Sequence, residues 1–440
     1  METVDTLIHA GWIIPVIPEN QVLSECSLAI NDGRIAAIVP TTEAKSRFSA
    51  TEELDLTQHL IIPGLINAHG HAAMSLLRGF ADDHPLQTWL EEHIWPAEGQ
   101  WVDAEFVKDG TELALAEMIR SGTTCFSDMY FFPEAAAKAA FESGIRAQIT
   151  FPVFDFPSAW GQGPDEYLSK GLALNDDYRS NELITIGFGP HAPYTVSDEP
   201  LQRIATIAEE MQAPIQIHLH ETAFEVDEAV KNTGKRPIQR LADLGLLSPL
   251  TQCVHMTQIS DDDLELLKST GAHIVHCPES NLKLASGFCP VDKLQQTGIN
   301  VALGTDGAAS NNDLDLLGEL RTAALLAKGV SGNASALNAH QAIRMTTLNG
   351  AKAMGIDHVT GSLETGKAAD VIAIAFDELE SMPLYNPASQ LVYAQRSHRI
   401  THSWVNGKCL MHDRQLQTLS EHEIITKAQR WQKKIAGQSH

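Results

Sequence analysis

Short apolar runs and amphipathic stretches alternate through the middle of the 440-residue chain. Eight apolar runs have the length and composition of buried strands, namely 60–69, 123–130, 146–154, 183–191, 214–220, 251–256, 273–278 and 301–306. Most of them are separated by stretches with helical periodicity, one of which starts at an N-capping Ser260 and ends at Gly271. Eight strands alternating with helices predict an α/β fold, a (β/α)8 TIM-type barrel. An open doubly wound sheet is less favoured, because the sequence contains neither GxGxxG nor GxxxxGK followed by Ser or Thr.

Both ends of the chain have a different pattern. Residues 1–60 show alternating apolar positions and a turn at Asn31-Asp32-Gly33, and similar alternation returns in 361–375 and 400–411. No linker rich in Pro or Ser separates these parts, so we expect them to be closely integrated. The predicted organisation is a small β-sandwich domain built from residues 1–60 and 361–440, with a C-terminal helix, and a barrel over residues 61–360.

Composition narrows the classes of partner. The formal net charge is 31 − 56 = −25, which repels phosphate groups, so neither nucleic acid nor a membrane is an expected partner. No apolar stretch reaches the ~18–20 residues of a membrane span, and the N-terminus lacks the basic segment of a signal peptide. The six cysteines are scattered without a CxxC pair, which is typical of a reduced cytoplasm. We therefore expect a cytoplasmic protein with a small-molecule substrate, and a homo-oligomer is open.

Ionisable residues cluster where the predicted strands end. These residues are His69, His71, His191, His218, His220, His255 and Asp306. The C-terminal ends of the strands form the active site of a β/α barrel, so this distribution predicts a site there. His69 and His71 are two residues apart in an extended segment and point to the same side, where both imidazoles can reach one ion.

Three imidazoles and one carboxylate form a ligand set that suits Zn2+, with Fe2+ or Mn2+ as alternatives. The pattern offers His69, His71 and Asp306, together with either His218 or His220. The spacing of the second His-x-His pair does not distinguish between its two members.

Two further residues have both a structural and a functional interpretation. Glu221 lies just past its strand, where it can reach a metal-activated water as a general acid or base, although an isolated Glu there is more often part of a helix start. His255 lies in the apolar run CVHM, where a lone histidine is usually a core residue, but its position at a strand end favours function. Histidines without a partner pattern, including His402, His412 and His440, are interpreted as surface or packing residues.

Several segments together form a familiar motif set. They are NAHGHAAM (67–74), IWPAE (94–98), GPHAPYT (189–195), HLHET (218–222), VHM (254–256), HCPESNLKLASG (276–287), GTDGAASNN (304–312) and GSLETGKAAD (361–370). This set resembles that of the amidohydrolase superfamily and, more narrowly, of the methylthioadenosine/S-adenosylhomocysteine deaminase group. The resemblance implies one Zn2+ per subunit, bound by His69, His71, His218 and Asp306.

The resemblance also implies a reaction at C6 of an adenine nucleoside. A metal-activated water would attack C6 while Asp306 and His255 take up its proton. Glu221 would protonate N1 and help ammonia to leave. The products would be an inosine-type nucleoside and ammonia.

Contacts to the substrate are implied as well. Glu98 would accept hydrogen bonds from the ribose hydroxyls, His191 would contact the nucleoside, and Trp95 would lie nearby. Homologues that accept S-adenosylhomocysteine hold its carboxylate with arginines after the third strand. This chain offers no arginine between Arg146 and Arg179.

That stretch instead contains Phe151, Phe154, Phe156 and Trp160, an apolar set that suits a methylthio group or an unsubstituted ribose, while Lys170 offers an alternative partner for a carboxylate. We therefore expect methylthioadenosine or adenosine to be preferred over S-adenosylhomocysteine. Two other interpretations stay open. One is another aminohydrolase of the same superfamily, acting on guanine, cytosine or a triazine, and the other is a non-catalytic barrel that serves as a scaffold.

Overall fold

The computed structural model describes residues 1–437, so His440 lies outside the described residues. The strands are β1 (Glu2–Ile13), β2 (Leu23–Asn31), β3 (Arg34–Pro40), β4 (Phe48–Pro63), β5 (Leu65–Asn67), β6 (Thr123–Met129), β7 (Arg146–Val153), β8 (Ile184–Pro190), β9 (Ile215–Leu219), β10 (Thr251–His255), β11 (His273–His276), β12 (Val301–Leu303), β13 (Val371–Ala375), β14 (Ile400–Val405), β15 (Lys408–His412) and β16 (Gln415–Leu416). They form two sheets, one from the middle of the chain and one from its two ends.

Strands β5 to β12 follow one another in chain order around a parallel sheet. The backbone N–H of Ala68, just after β5, donates to the carbonyl of Leu303 in β12 at 2.9 Å and closes the sheet into a ring. Each strand lies within one of the eight apolar runs, because barrel strands are buried on both faces and leave little room for polar alternation. The predicted (β/α)8 barrel is confirmed.

Helices connect the strands and cover the barrel. They are α1 (Thr41–Arg47), α2 (Leu86–Thr88), α3 (Trp95–Trp101), α4 (Ala104–Arg120), α5 (Pro133–Ser143), α6 (Pro164–Tyr178), α7 (Asp198–Met211), α8 (Ala223–Thr233), α9 (Pro237–Asp243), α10 (Asp261–Thr270), α11 (Pro278–Lys283), α12 (Val291–Gln296), α13 (Ala308–Asn311), α14 (Leu316–Ser331), α15 (Ala339–Met345), α16 (Leu348–Ala353), α17 (Pro387–Tyr393) and α18 (Glu421–Ala436), with 3-10 turns at Ala72–Leu77, Leu379–Ser381 and Ser397–Arg399 and a π turn at Trp89–Ile94. Ser260 and Asp263 cap α10 reciprocally, and Gly271 ends it with a φ of +73°, as the sequence predicts. Among the described residues, no helix combines the length and the apolar composition that crossing a bilayer requires.

The second sheet joins both ends of the chain in the order β16-β15-β14-β13-β4-β1-β2-β3. Its predicted turn between β2 and β3 is present, with φ of +49° at Asp32 and +73° at Gly33. The C-terminal helix α18 packs against α4, where the indole N–H of Trp431 donates to Asp109 at 3.0 Å. A sheet built from both ends is therefore confirmed, whereas the domain limits at 60/61 and 360/361 stay a prediction.

One buried ion pair joins the barrel to the second sheet. Arg146, at the start of β7, donates to both carboxylate oxygens of Asp370 at 3.0 and 3.3 Å, and to the carbonyl of Glu182 at 2.7 Å. The two charged side chains are 6% and 0% exposed. A buried charge that loses its partner keeps its desolvation cost. Separating the two sheets at this point is therefore unfavourable, and the pair stabilises their contact.

We expect Arg146→Ala to lower the free energy of unfolding by about 3–5 kcal/mol, because Asp370 would stay buried without a countercharge. Denaturant unfolding of the metal-loaded protein measures the difference. The control is Arg179→Ala, which removes an exposed ion pair with Asp176 and should change stability much less. Equal losses in both variants would contradict the importance of the buried pair.

Candidate active site

Five side chains converge at the C-terminal end of the barrel. His69 and His71 follow β5, His218 lies in β9, His255 ends β10 and Asp306 follows β12. The Nε2 atoms of His69 and His218 are 3.2 Å apart, and Asp306 Oδ1 lies 3.5 Å from His69 Nε2 and 3.2 Å from His71 Nε2. Ligand atoms of His69, His255 and Asp306 also lie within 4.8 Å of one another. These residues could therefore surround a single ion.

Hydrogen bonds determine which ring nitrogen of each histidine carries the proton. The Nδ1 atoms of His69, His71, His218 and His255 lie 2.6–2.9 Å from oxygens of Gln216, Met129, His191 and Asn281, respectively. These carbonyl oxygens can only accept, so each Nδ1 carries the proton and each Nε2 presents a lone pair to the cluster. A neutral imidazole oriented in this way is the form that binds a metal ion.

The converging lone pairs test whether a cation fits. Neither Nε2 of His69 and His218 carries a proton, so their 3.2 Å approach is not a hydrogen bond and is repulsive without a positive charge nearby. Two ligand atoms at 2.0–2.1 Å from a tetrahedral zinc lie about 3.3 Å apart. The separations of 3.2–3.5 Å in this cluster are close to that value. Imidazole and carboxylate donors at this spacing fit Zn2+.

Asp306 is oriented by its backbone and by two donors. Its φ is +60°, and that of His255 is +77°, a left-handed conformation that costs about 1–3 kcal/mol in a residue other than glycine. The hydroxyl of Ser280 donates to Asp306 Oδ2 at 2.7 Å, and the N–H of Gly307 donates to Oδ1 at 2.8 Å. Strained residues at the C-terminal ends of two barrel strands are typical of a functional site.

The segment after β9 positions Glu221. His220 has a φ of +52°, and its Nδ1 donates to the carbonyl of Gln258 at 3.0 Å, outside the cluster. His218 is therefore the member of this His-x-His pair that lies in the cluster. The carboxylate of Glu225 accepts from the backbone N–H groups of His220 and Glu221 at 2.9 and 2.8 Å. The Glu221 side chain is thereby left beside the cluster, with Oε2 3.7 Å from His255 Nε2.

Burial and neighbouring charges change the ionisation of several groups. Burial, with a contribution from Asp306, raises the pKa of Glu221 to about 8. Burial also raises the pKa of Glu98 to about 7. Burial and the neighbouring imidazoles lower the pKa of His191 to about 3. At neutral pH, Glu221 therefore keeps a proton that it can donate, and His191 is neutral.

A cavity of about 310 Å³ adjoins the cluster, at the lower end of the range usual for small-molecule sites. Glu98, His191 and Trp95 all line it. The hydroxyl of Tyr130 donates to Glu98 at 2.7 Å and orients one of its carboxylate oxygens. The cavity is mostly apolar with a few converging polar groups, which is the usual composition of a site for a small organic molecule.

The apolar lining differs in part from the sequence prediction. Phe154 and Phe156 line the cavity. Phe151 does not, because it lies inside β7 and packs into the core, and Trp160 stacks against another ring outside the cavity. The ammonium group of Lys170 donates to the carbonyl of Trp160 at 2.6 Å and does not line the cavity either. The assignments of Phe151 and Trp160 to the lining are therefore wrong, and Lys170 is engaged elsewhere.

Several orienting residues have no role in the sequence-based prediction. They are Gln216, Ser280, Asn281, Glu225 and Tyr130. Gln216 could have been found, because a buried amide two residues before a candidate ligand lies on the same face of the strand and needs partners. Ser280 and Asn281 lie in the segment HCPESNLKLASG, which is part of the motif set, but the resemblance assigned no role to either residue. Glu225 and Tyr130 leave no such signal, because their roles depend on contacts made only in the folded chain.

A barrel whose strand ends present imidazoles and a carboxylate around one point is typical of metal-dependent hydrolases. Residues 60–410 match the model of the amidohydrolase family, and the chain belongs to this family. A protein of Saccharophagus degradans named 5-methylthioadenosine/S-adenosylhomocysteine deaminase is 62% identical over 99% of this chain and 97% of that protein. A protein of Methanosarcina mazei named 5'-deoxyadenosine deaminase is 40% identical over 97% of both. The crystal structure of an adenosine deaminase from Xanthomonas campestris with bound zinc has a TM-score of 0.98 and 44% identity, covering 99% of each chain.

We expect Ser280→Ala to weaken zinc binding by about 10- to 100-fold, because it removes the hydroxyl that orients the Asp306 carboxylate. Competition with a chelator of known zinc affinity measures the change. The matched control is Ser310→Ala, since the Ser310 hydroxyl is also buried and contacts Ser280 at 3.2 Å, but donates to Gly307 rather than to Asp306. If both variants bind zinc like the unmodified protein, Asp306 does not need this donor.

Proposed function

We propose that this protein is a zinc-dependent hydrolytic deaminase of adenine nucleosides. The observation that carries the proposal is the position of Glu221 and His255, which both line the cavity beside the metal-binding cluster. Relatives that are 40–62% identical and bear the names of adenine nucleoside deaminases support it. The cytoplasmic location stays a prediction from the sequence, and a homo-oligomeric state stays open.

His69, His71, His218 and Asp306 would hold the zinc ion. When bound, the ion would supply a Lewis acid that lowers the pKa of a coordinated water, so that hydroxide is available near neutral pH. Hydrogen bonds within the protein already orient these side chains. The Nδ1 bonds hold the three histidines, and the Ser280 hydroxyl holds Asp306. The site therefore needs little rearrangement when the ion binds.

Glu221, His255 and Asp306 would move the protons of the reaction. The Asp306 carboxylate and His255 would accept the proton that water releases as its oxygen bonds to C6 of the adenine ring. Glu221 would donate its proton to N1, which makes C6 more electrophilic. The C6–amino bond then breaks, ammonia leaves with a proton from these groups, and an inosine-type nucleoside remains.

Glu98 and His191 would position the nucleoside. The ribose hydroxyls can donate to the Glu98 carboxylate, which Tyr130 already orients. His191 is neutral, and its Nδ1 lies 3.1 Å from the hydroxyl of Thr195, so its ring orientation is restrained. Trp95, 38% exposed, lies where the cavity meets solvent.

We expect Glu221→Gln to lower kcat by about 10²- to 10⁴-fold, because the amide cannot donate and recover a proton. Ammonia release and the change in the ultraviolet spectrum from adenosine to inosine measure the rate. Zinc content should equal that of the unmodified protein, since Glu221 is not a proposed ligand. Glu210→Gln on the exposed face of α7 is the control and should leave kcat unchanged.

Two results would contradict the proposal. A zinc-loaded protein that releases ammonia from guanine, cytosine or an aminotriazine but from neither adenosine nor methylthioadenosine would belong to another class of aminohydrolase. A protein that binds zinc and turns over none of these compounds would favour the scaffold interpretation.

The charge of the cavity supports a preference for nucleosides without an anionic 5′ substituent. Among the described residues that line it, none is a lysine or an arginine. An adjoining cavity contains Arg240 and Lys235, but these cations pair with Asp198 and Asp243 at 2.6 Å. The carboxylate of S-adenosylhomocysteine would therefore lack the bidentate partner that usually binds such a group.

We expect kcat/KM for methylthioadenosine or adenosine to exceed that for S-adenosylhomocysteine by at least about tenfold, the loss of one charge-assisted hydrogen bond. Parallel assays of the three substrates measure this ratio. Ala159→Arg, which adds a guanidinium to the exposed wall of the cavity, should make the ratio of the kcat/KM values smaller. Ala159→Leu is the control for the size of the new side chain. A higher kcat/KM on S-adenosylhomocysteine with the unmodified protein would refute the preference.

A further inference from the structure

A second group of metal-binding side chains lies on the sheet formed by the two ends of the chain. His402 in β14 and His412 at the end of β15 lie on neighbouring strands, with ring centroids 4.6 Å apart. Asp413 follows directly and starts the two-residue turn into β16, in which Asp413 and Arg414 have φ of +44° and +65°. The turn brings the Asp413 carboxylate close to both rings.

The distances in this group are those of ligands around an ion rather than of hydrogen bonds. Asp413 Oδ1 lies 3.6 Å from His402 Nε2, and Asp413 Oδ2 lies 3.5 Å from His412 Nδ1. Both distances exceed the 2.7–3.2 Å of an N–H···O bond, and both are near the separation of about 3.3 Å between two ligands of a tetrahedral zinc. The barrel cluster provides an internal comparison, since three pairs of its proposed ligand atoms are 3.2–3.5 Å apart.

Neighbouring residues hold the His402 side chain and the turn that carries Asp413 in place. His402 is buried and stacks on Trp404 at 5.4 Å, and its Nδ1 lies 2.8 Å from the hydroxyl of Thr401. That hydroxyl is directed to the carbonyl of Ala373, so it accepts from Nδ1–H and leaves Nε2 with a lone pair. The turn that carries Asp413 is anchored by Arg414, whose Nη1 donates to three backbone carbonyls.

We propose that His402, His412 and Asp413 form a second divalent-cation site that takes Zn2+ or Ni2+, with water completing the coordination. Imidazole and carboxylate donors suit these ions, and the exposed side of the group, where His412 is 40% and Asp413 73% exposed, leaves room for water. His59 lies beside the site, 6.3 Å from His402 between ring centroids, and its buried Nδ1 has no hydrogen-bond partner among the described residues. The ion joins β14, β15 and the turn after β15, so it stabilises the last hairpin of the sheet.

The test counts metal ions in the intact protein. Protein with one equivalent of zinc is titrated with further Zn2+ by calorimetry, and bound metal is measured after gel filtration. We expect a second equivalent to bind. His412→Gln and Asp413→Asn each remove an exposed ligand and should lower the affinity for the second zinc ion. The loss should exceed the roughly 10- to 100-fold that follows when a residue hydrogen-bonded to a ligand is removed. His422→Gln, a change at an exposed histidine on α18, is the control and should keep two equivalents.

The outcomes separate this site from the barrel site. A single equivalent in the unmodified protein, or a second equivalent that persists in both ligand variants, would overturn the proposal. The first equivalent and the rate of ammonia release should be the same in the ligand variants and the control. The count of metal ions does not depend on the proposed deaminase activity, so the failure of one proposal leaves the other testable.

Discussion

The geometry of the barrel site depends on one electrostatic constraint, the convergence of several nitrogen lone pairs on one point. Each Nε2 lacks a proton because the Nδ1–H of the same ring is committed to an oxygen of the protein. Unprotonated nitrogens and a carboxylate that face one another repel unless a cation lies between them. The rest of the barrel must therefore impose this arrangement, and a cation relieves the repulsion when it binds. Metal binding and the stability of the fold are coupled for this reason.

A layer of buried amides beneath the site helps to impose the arrangement. Gln216 accepts from His69 through Oε1, while its Nε2 donates to Gln252 at 2.6 Å, and Gln252 exchanges hydrogen bonds with Gln148 at 3.0 Å. Buried amides are costly unless their donors and acceptors are used, so few other arrangements of this layer are accessible. Close packing also restricts the arrangement of the site, because a Cβ at Gly304 would lie 2.8 Å from the backbone nitrogen of His69. The end of β12 can approach the end of β5 only with glycine there.

The barrel and the location of the site follow from the sequence, because buried strands leave apolar runs and the C-terminal ends of parallel strands meet on one side. The choice between His218 and His220 does not follow from their spacing. It depends on the φ of +52° at His220 and on the carboxylate of Glu225, which binds the backbone there. The spacing of residues also failed to separate Phe151 from Phe154. Phe151 lies inside β7 and packs into the core, whereas Phe154 lies beyond the end of β7 and lines the cavity. Alternation assigns faces only within a regular strand.

The acidic side chains of the site differ in ionisation because their surroundings differ. The Asp306 carboxylate accepts hydrogen bonds from the Ser280 hydroxyl at 2.7 Å and from the Gly307 N–H at 2.8 Å, which stabilise its ionised form. Glu221 accepts only a longer hydrogen bond, from the Ser286 hydroxyl at 3.3 Å, and burial raises its pKa to about 8. One group is therefore a carboxylate and the other a carboxylic acid at neutral pH. The proposed deamination needs this pair, since one group would take a proton from water while the other would give one to the ring. Because both groups are carboxyls, the environment and not the residue type separates the two roles.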